Sequence, residues 1–396
     1  MYNMLEIPWG LKDLLPEEFE KRLYIKQKIR ELFPLWGYRE LTTPTFEYFS
    51  VLSMGIGEDL KSQMIKFIDR NGQIMALRPE FTTSIARIIA TKLSSSLPPF
   101  RFFYLDNIFR YPKEKGVNKR EIFQTGVELV GEGGVRADAE VVSLLATLLD
   151  ELGVKDYKII IGSTSFFRAL LDEFEIQPQM GELLKHYLSI RDFVSFYNVL
   201  DTLPKEKKRN LRTIFSLIGD REALDEISLL VKGDRTKSAL SELRKFCKIV
   251  EYYGILGNLE FDFSFLRDMD YYTGIVFELF VEGIGYSFAG GGRYDNLLPK
   301  MGVDYPATGF ALEMGGLLEV LDNKIPLENG VSLVVSPSSY ERYAIDFLQK
   351  KRREREPIEL KVANFEKEEA IEYAKKRYIK RVYLIVGPEK IEIIDI

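Results

Sequence analysis

The chain has a single cysteine, Cys247, and a single histidine, His186, among 396 residues. One thiol cannot close an internal disulfide, and one thiol with one imidazole cannot supply the clustered ligands of a structural zinc site. Any Ser-His-Asp or Cys-His arrangement would have to rest on His186, which sits in the leucine-rich helical stretch "LLKHYLSI", where an ordinary surface or boundary histidine is the simpler reading. Apolar runs of membrane-spanning length are also lacking, and the N-terminus "MYNMLEIPWG" has neither the basic nor the apolar region of a signal peptide. The expectation is a cytoplasmic protein with no metal, no cofactor and no membrane association. A net charge of −5 gives no global attraction for nucleic acid, and the densest basic run, "QKKRREREP" at 349–357, is diluted by Glu354 and Glu356 into a solvated helix end.

What is present is the balance of a globular protein, 46% hydrophobic and 29% charged, in a length that allows two or three domains. Residues 17–33 place Phe19, Leu23, Ile29, Leu32 and Phe33 near one helical face before Pro34 disturbs the pattern. From 65 to 131 the pattern becomes strand-like, with "MIKFIDRNGQIMALRP" turning at Asn71-Gly72, then "FRFFYLDNIFRY" and "EIFQTGVELVG". A helix is expected at about 136–152, ended by Gly153, followed by the strand "YKIIIG". Residues 165–250 read as a helical insertion, after which strands return in "LEFDFSFLRDMDYYTGIVFELFV" and "GYSFAGGGRYDNLL". From about 329 the chain alternates "GVSLVVSP", a helix at 339–353, "IELKVAN", a helix at 366–378 and "RVYLIVG", a βαβαβ pattern. The expected division is a domain at 1–325 and a small C-terminal α/β domain at 329–396, joined by "LDNKIPLEN".

Several strand-like stretches carry polar side chains that a core would not select. Alternation puts Gln124, Gly126 and Glu128 on one face of "FQTGVELVG", aligns Asp270, Tyr272 and Gly274 in "RDMDYYTG", and aligns Arg78, Glu80 and Thr82 in "LRPEFTT". Each residue alone could serve a solvated sheet face or an internal ion pair. Together, Glu80, Glu128, Arg110 and Arg267 with an amide and a phenol would suit a small zwitterion, since carboxylates hold an ammonium and an arginine fork holds a carboxylate. Gly126, Gly274 and "AGGGRYD" would leave room for it.

"LRPEFT", "FRYPKEKGVNKREIFQTGVELVG", "RDMDYYTGIVFE" and "AGGGRYDNLL" resemble, in order and spacing, the catalytic domain of histidyl-tRNA synthetase, a class II aminoacyl-tRNA synthetase. The resemblance covers about residues 5–320, beginning with "IPWGLKDLLPEE" and "TTPTFEY". It implies an α+β fold, a six-stranded antiparallel sheet flanked by helices, with Pro44 in the motif of the class II dimer interface. It further implies that Glu80, Thr82 and Gln124 hold the amino group of histidine, that Glu128 and Tyr272 contact its imidazole, that Tyr271 and Tyr294 belong to the pocket, and that Arg267 lies against the carboxylate. Arg110 matches the arginine placed on the ATP α-phosphate, and with Arg120 would form the vestige of a nucleotide site.

Departures from the synthetase pattern fall on the nucleotide side. "FRYP" puts Pro112 where the family has a carboxylate that recognises adenine, and "RDMDYY" puts Asp268 beside Arg267. Where the family reads Gly-Leu-Glu-Arg, the apolar run "ATGFALEMGGLLEV" at 307–320, which has helical spacing, carries Glu313-Met314-Gly315-Gly316, so the arginine for the γ-phosphate is absent. Each glycine inside a helix costs about 0.5–1 kcal/mol relative to alanine, so the pair asks for a late helix start, a close packing contact or a lost function. Losing one preorganised cation costs on the order of 3–4 kcal/mol in an adenylation transition state.

The combination resembles the synthetase-like regulatory subunits of ATP phosphoribosyltransferase. That resemblance implies no catalysis by this chain, a class II-like dimer, and a hetero-oligomer with the short catalytic subunit that joins ATP to phosphoribosyl pyrophosphate at the start of histidine biosynthesis. Histidine is then the feedback ligand, and tRNA is not expected as a partner. Two other readings stay open: a divergent active synthetase, which would catalyse ATP–pyrophosphate exchange and tRNA charging, and a stand-alone histidine- or tRNA-binding paralogue, which would stimulate no phosphoribosyltransferase.

Overall fold

The computed structural model describes residues 5–112, 119–267, 271–321, 324–325, 330–377 and 379–396. Asp268, Asp270 and most of "LDNKIPLEN" lie outside the described residues. The chain divides into two compact units, Met1–Asn323 and Lys324–Ile396.

The first unit is built on a nine-stranded mixed sheet. In chain order its strands are β1 (Arg39–Glu40), β2 (Phe100–Phe109), β3 (Glu121–Val130), β4 (Tyr157–Ser163), β5 (Ile218–Gly219), β6 (Leu259–Asp262), β7 (Ile275–Val281), β8 (Ala289–Arg293) and β9 (Ala307–Glu313). They lie in the order β1-β2-β3-β9-β8-β7-β4-β6-β5. The six strands from β2 to β4 in that order pair with one another antiparallel throughout, which accounts for the expected six strands. Three short strands make up the difference: β1 and β6 add parallel at the two ends of this run, and β5 pairs antiparallel with β6 at the outer edge. β5 comes from within the helical stretch, where two residues are too few to show a period of their own.

The sheet faces are buried by amphipathic helices. Val135–Glu151 is interior over almost its whole length because it packs between β9 and the helix Asp234–Tyr252. Gly153 follows it with φ +74°, a left-handed conformation that lets the chain leave without a Cβ clash. Helix Pro16–Leu32 buries Ile25, Ile29 and Leu32, with Phe33 next to it, whereas Phe19 and Leu23 are exposed. The expected single apolar face therefore serves the core only in its second half. Beside the sheet, strands Phe46–Tyr48, Lys66–Ile68 and Ile74–Leu77 form a small antiparallel sheet with the Asn71-Gly72 turn at its hairpin, Gly72 having φ +78°. Asp69 stabilises that turn by accepting the Asn71 and Gln73 amides at 2.8 Å each.

The run 307–320 is not one helix. Its first half is β9 and its second is the helix Met314–Leu321, so the helical spacing of the apolar residues is overridden by pairing of β9 with both β3 and β8. The second unit holds a four-stranded sheet of Ile358–Val362, Ser332–Ser336, Arg381–Gly387 and Lys390–Asp395, in that order, with helices Glu341–Arg353 and Lys367–Lys376. The βαβαβ pattern accounts for the first three strands. The last is an added antiparallel hairpin partner of Arg381–Gly387.

Candidate functional site

Pairing of β3 with β2 and β9 sets the polar residues in register. Glu128 stands opposite Gly309 and Gln124 opposite Glu313, while Tyr104 on β2 stands opposite Gly126. Over this part of the sheet lies a cavity of about 220 Å³. That is below the ~300–1,000 Å³ usual for drug-sized ligands and suits a metabolite of amino-acid size. It is lined by Glu80, Thr82, Arg110, Gln124, Glu128, Arg267, Tyr271, Tyr272 and Tyr294, all of which the sequence had singled out. Arg120 is not among the lining residues. Its guanidinium lies between the rings of Trp9 and Tyr111, 4.5 and 4.8 Å from their centroids, so stacking draws it away from a nucleotide role.

Two carboxyl groups dominate the deep end. Glu128 Oε1 accepts from Thr82 Oγ1 at 2.6 Å, and its Oε2 accepts from the Tyr294 hydroxyl. Burial penalises the ionised form and pushes the Glu128 carboxyl up to about 8, against the pull of those two hydrogen bonds. Glu80 Oε1 accepts the Thr83 amide at 2.9 Å, where the helix Thr82–Lys92 begins, and burial likewise raises its pKa. Its other oxygen, Oε2, is buried without a hydrogen-bond partner among the described residues. A buried carboxyl oxygen left without a hydrogen bond is costly unless a ligand donor completes it. Gln124 Oε1 accepts from the Tyr104 hydroxyl at 3.0 Å, which fixes the amide.

At the other end the cations are spoken for unequally. Arg110 donates through Nη2 to Glu313 Oε1 at 2.7 Å. Arg267 donates to the Phe277 carbonyl at 3.2 Å and stands 4.0 Å from Glu278, which is also bonded to Arg191.

The glycines make room for side chains more than for a ligand. A Cβ on Gly126 would strike Tyr104, one on Gly309 would strike Glu128, and one on Gly290 would strike Arg267. Gly274 faces Arg293 and does not line the cavity. Arg293 itself is structural: it is buried against Asp138 at 2.9 Å and also bonds Asp295 and the Gly134 carbonyl. Arg78 has a similar role, buried under bonds to the Thr43 and Asn107 carbonyls and an ion pair with Asp106. At the "EMGG" site, a Cβ on Gly316 would enter the ring of Phe288, which is itself buried. The packing explanation of the glycine pair therefore holds at Gly316.

Tyr104, Glu278, Phe288 and Glu313 also line the cavity and were not singled out as ligand-facing from sequence. Tyr104 stacks on Phe81 with centroids 4.0 Å apart. Among the described residues no cluster of His, Cys, Asp and Glu could hold a metal, and no helix is long and apolar enough to cross a membrane. Cys247 is buried, with its thiol pushed up to about 11 by desolvation, and His186 is exposed on the helix Pro178–Ser189.

The histidyl-tRNA synthetase family model matches residues 10–317. The chain is 36% identical over 382 residues to an ATP phosphoribosyltransferase regulatory subunit of Halothermothrix orenii, covering 96% of this chain and 90% of that one. Among solved structures, an ATP phosphoribosyltransferase regulatory subunit/histidyl-tRNA synthetase from Bacillus halodurans C is similar with a TM-score of 0.86 at 29% identity, covering 97% of this chain and 99% of that one. A histidyl-tRNA synthetase from Nostoc sp. PCC 7120 shares the fold, with a TM-score of 0.83 at 19% identity over 99% of this chain and 94% of that one.

Proposed function

The chain belongs to the histidyl-tRNA synthetase-like family of ATP phosphoribosyltransferase regulatory subunits, and from that premise we propose that it binds free histidine without activating it. In this reading the chain is required by a short catalytic ATP phosphoribosyltransferase subunit and carries the end-product inhibition of that enzyme. The observation that carries it is the unpartnered Glu80 Oε2 in a cavity otherwise furnished with hydrogen-bonded polar groups. An α-ammonium would complete Glu80, with Thr82 and Gln124 beside it. Glu128 and Tyr272 would meet the imidazole, Tyr271 and Tyr294 would wall the pocket, and Arg267 would take the carboxylate. Phe288 packs on Gly316 and Glu313 bonds Arg110, and these contacts support a role without adenylation. Feedback requires only that histidine prefer one quaternary state by about 1–3 kcal/mol.

Self-association belongs to the same reading. Pro44 is exposed, and the exposed rings of Phe46, Tyr48 and Phe67 share one face of the small sheet, an apolar surface of the kind that an isologous dimer covers. Titration calorimetry with histidine and a histidine-dependent ATP–pyrophosphate exchange assay test the proposal together. Binding without exchange is the expected result. Robust exchange by the purified chain would make it a synthetase and overturn the reading.

A further inference from the structure

β2 and β9 come from distant parts of the chain, yet their ends bring Arg110 and Glu313, 203 residues apart, into direct contact at 2.7 Å. The pair is part-buried, with 24% and 31% of the side chains exposed. Two arginines, Arg110 and Arg267, line the cavity, against the carboxylates Glu80, Glu128, Glu278 and Glu313. A carboxylate of the protein bonds Arg110 directly, whereas Arg267 bonds the Phe277 carbonyl and only stands 4.0 Å from Glu278. Lys119 lies against Gly315, with Nζ 2.8 Å from where a Cβ would stand, and is not part of the lining.

We propose that Glu313 is a specificity-determining residue: its carboxylate occupies the donors that Arg110 would otherwise offer to an anion, so that the cavity accepts a free amino acid and rejects ligands that carry a phosphate group. The inference deepens the amino-acid reading of this site and rests on it for the identity of the ligand. Three features of the geometry support it. A guanidinium binds phosphate by the same charge-assisted hydrogen bonds that it makes to carboxylate, so Glu313 and a phosphate compete for the same donors. The competition is intramolecular, which gives Glu313 a high effective concentration that a dissolved phosphate ester must exceed. A phosphate that did displace it would then sit beside the freed Glu313 in a cavity already rich in carboxylates, where like charges repel.

The test is calorimetric titration of the full chain with AMP as the probe, comparing wild type with Glu313→Ala, Glu313→Gln and the double variant Glu313→Ala with Arg110→Ala. Glu313→Ala should bind AMP at least tenfold more tightly than wild type, equivalent to about 1.4 kcal/mol, and the double variant should lose that gain. Glu313→Gln, which keeps the shape and removes the charge, should gain at least threefold and decides the matter if the alanine variant fails to fold by circular dichroism. AMP affinity unchanged in the folded variants, or a gain that survives removal of Arg110, overturns the proposal. Histidine titrated into wild type is a separate arm. Its failure to bind would overturn the amino-acid reading, while the AMP series would still decide the role of Glu313.

Discussion

Glu128 makes the buried end of the cavity sensitive to pH, and Glu128→Gln isolates that sensitivity. The carboxyl is fully enclosed and is pushed up to about 8 from an ordinary value of 4.5. In the empty folded state it holds a proton that the unfolded chain releases near pH 4.5, so the unfolded state binds fewer protons across the interval between the two values. The stability owed to this group is complete below the unfolded pKa and is lost as pH rises through about 8, a loss of about 5 kcal/mol at a slope of up to about 1.4 kcal/mol per pH unit. Glutamine has no proton to release, and its carbonyl can still accept one of the two bonds from Thr82 and Tyr294. The assay is urea unfolding of both proteins without histidine at several pH values from 5 to 8.5. Wild type should lose stability with rising pH more steeply than Glu128→Gln, while contributions common to both, including that of Glu80, cancel in the difference. Parallel pH dependences would refute the claim that desolvation holds Glu128 protonated.

Other consequences of the packing can be checked in the same way. Arg293→Ala leaves Asp138 as an unpaired buried charge, so urea unfolding at neutral pH should show a loss of about 3–5 kcal/mol, and a loss below about 1 kcal/mol would show that the ion pair is dispensable. Gly316→Ala drives a methyl group into Phe288 and should cost about 1–3 kcal/mol by overpacking. A double-mutant cycle with Phe288→Ala should show that much of this cost disappears, and strict additivity would mean that the two residues do not compete for space. Cys247, buried and with its thiol raised to about 11, should react with a thiol reagent at pH 8 far more slowly in the folded chain than in urea, and equal rates would contradict its burial.

The parts of the site legible in sequence were those written locally. The period of two in "FQTGVELVG" is enough to place Gln124 and Glu128 on a common face, and the register of β3 with β9 puts both over the cavity. Tyr104 was not distinguishable because "FRFFYLDNIF" is aromatic on both faces, and alternation cannot say which ring meets a ligand. Glu313 and Phe288 were missed for a different reason. Their roles depend on residues brought close only by the sheet, Arg110 in one case and Gly316 in the other, and no local period reports a contact made across strands. Helical spacing misled at 307–313, where β3 and β8 on either side impose a strand. The outermost strands β1 and β5 escaped because two residues carry too little pattern to compete with the elements around them, whereas β6 was already legible in "LEFDF".

The most direct test of the account is reconstitution. The purified chain is added to a short catalytic ATP phosphoribosyltransferase subunit, and product formation from ATP and phosphoribosyl pyrophosphate is followed over a histidine titration. The account predicts that activity appears when this chain is added and falls as histidine rises, with Glu80→Gln shifting the inhibition to higher histidine concentrations. A catalytic subunit whose rate is the same with and without this chain would contradict it.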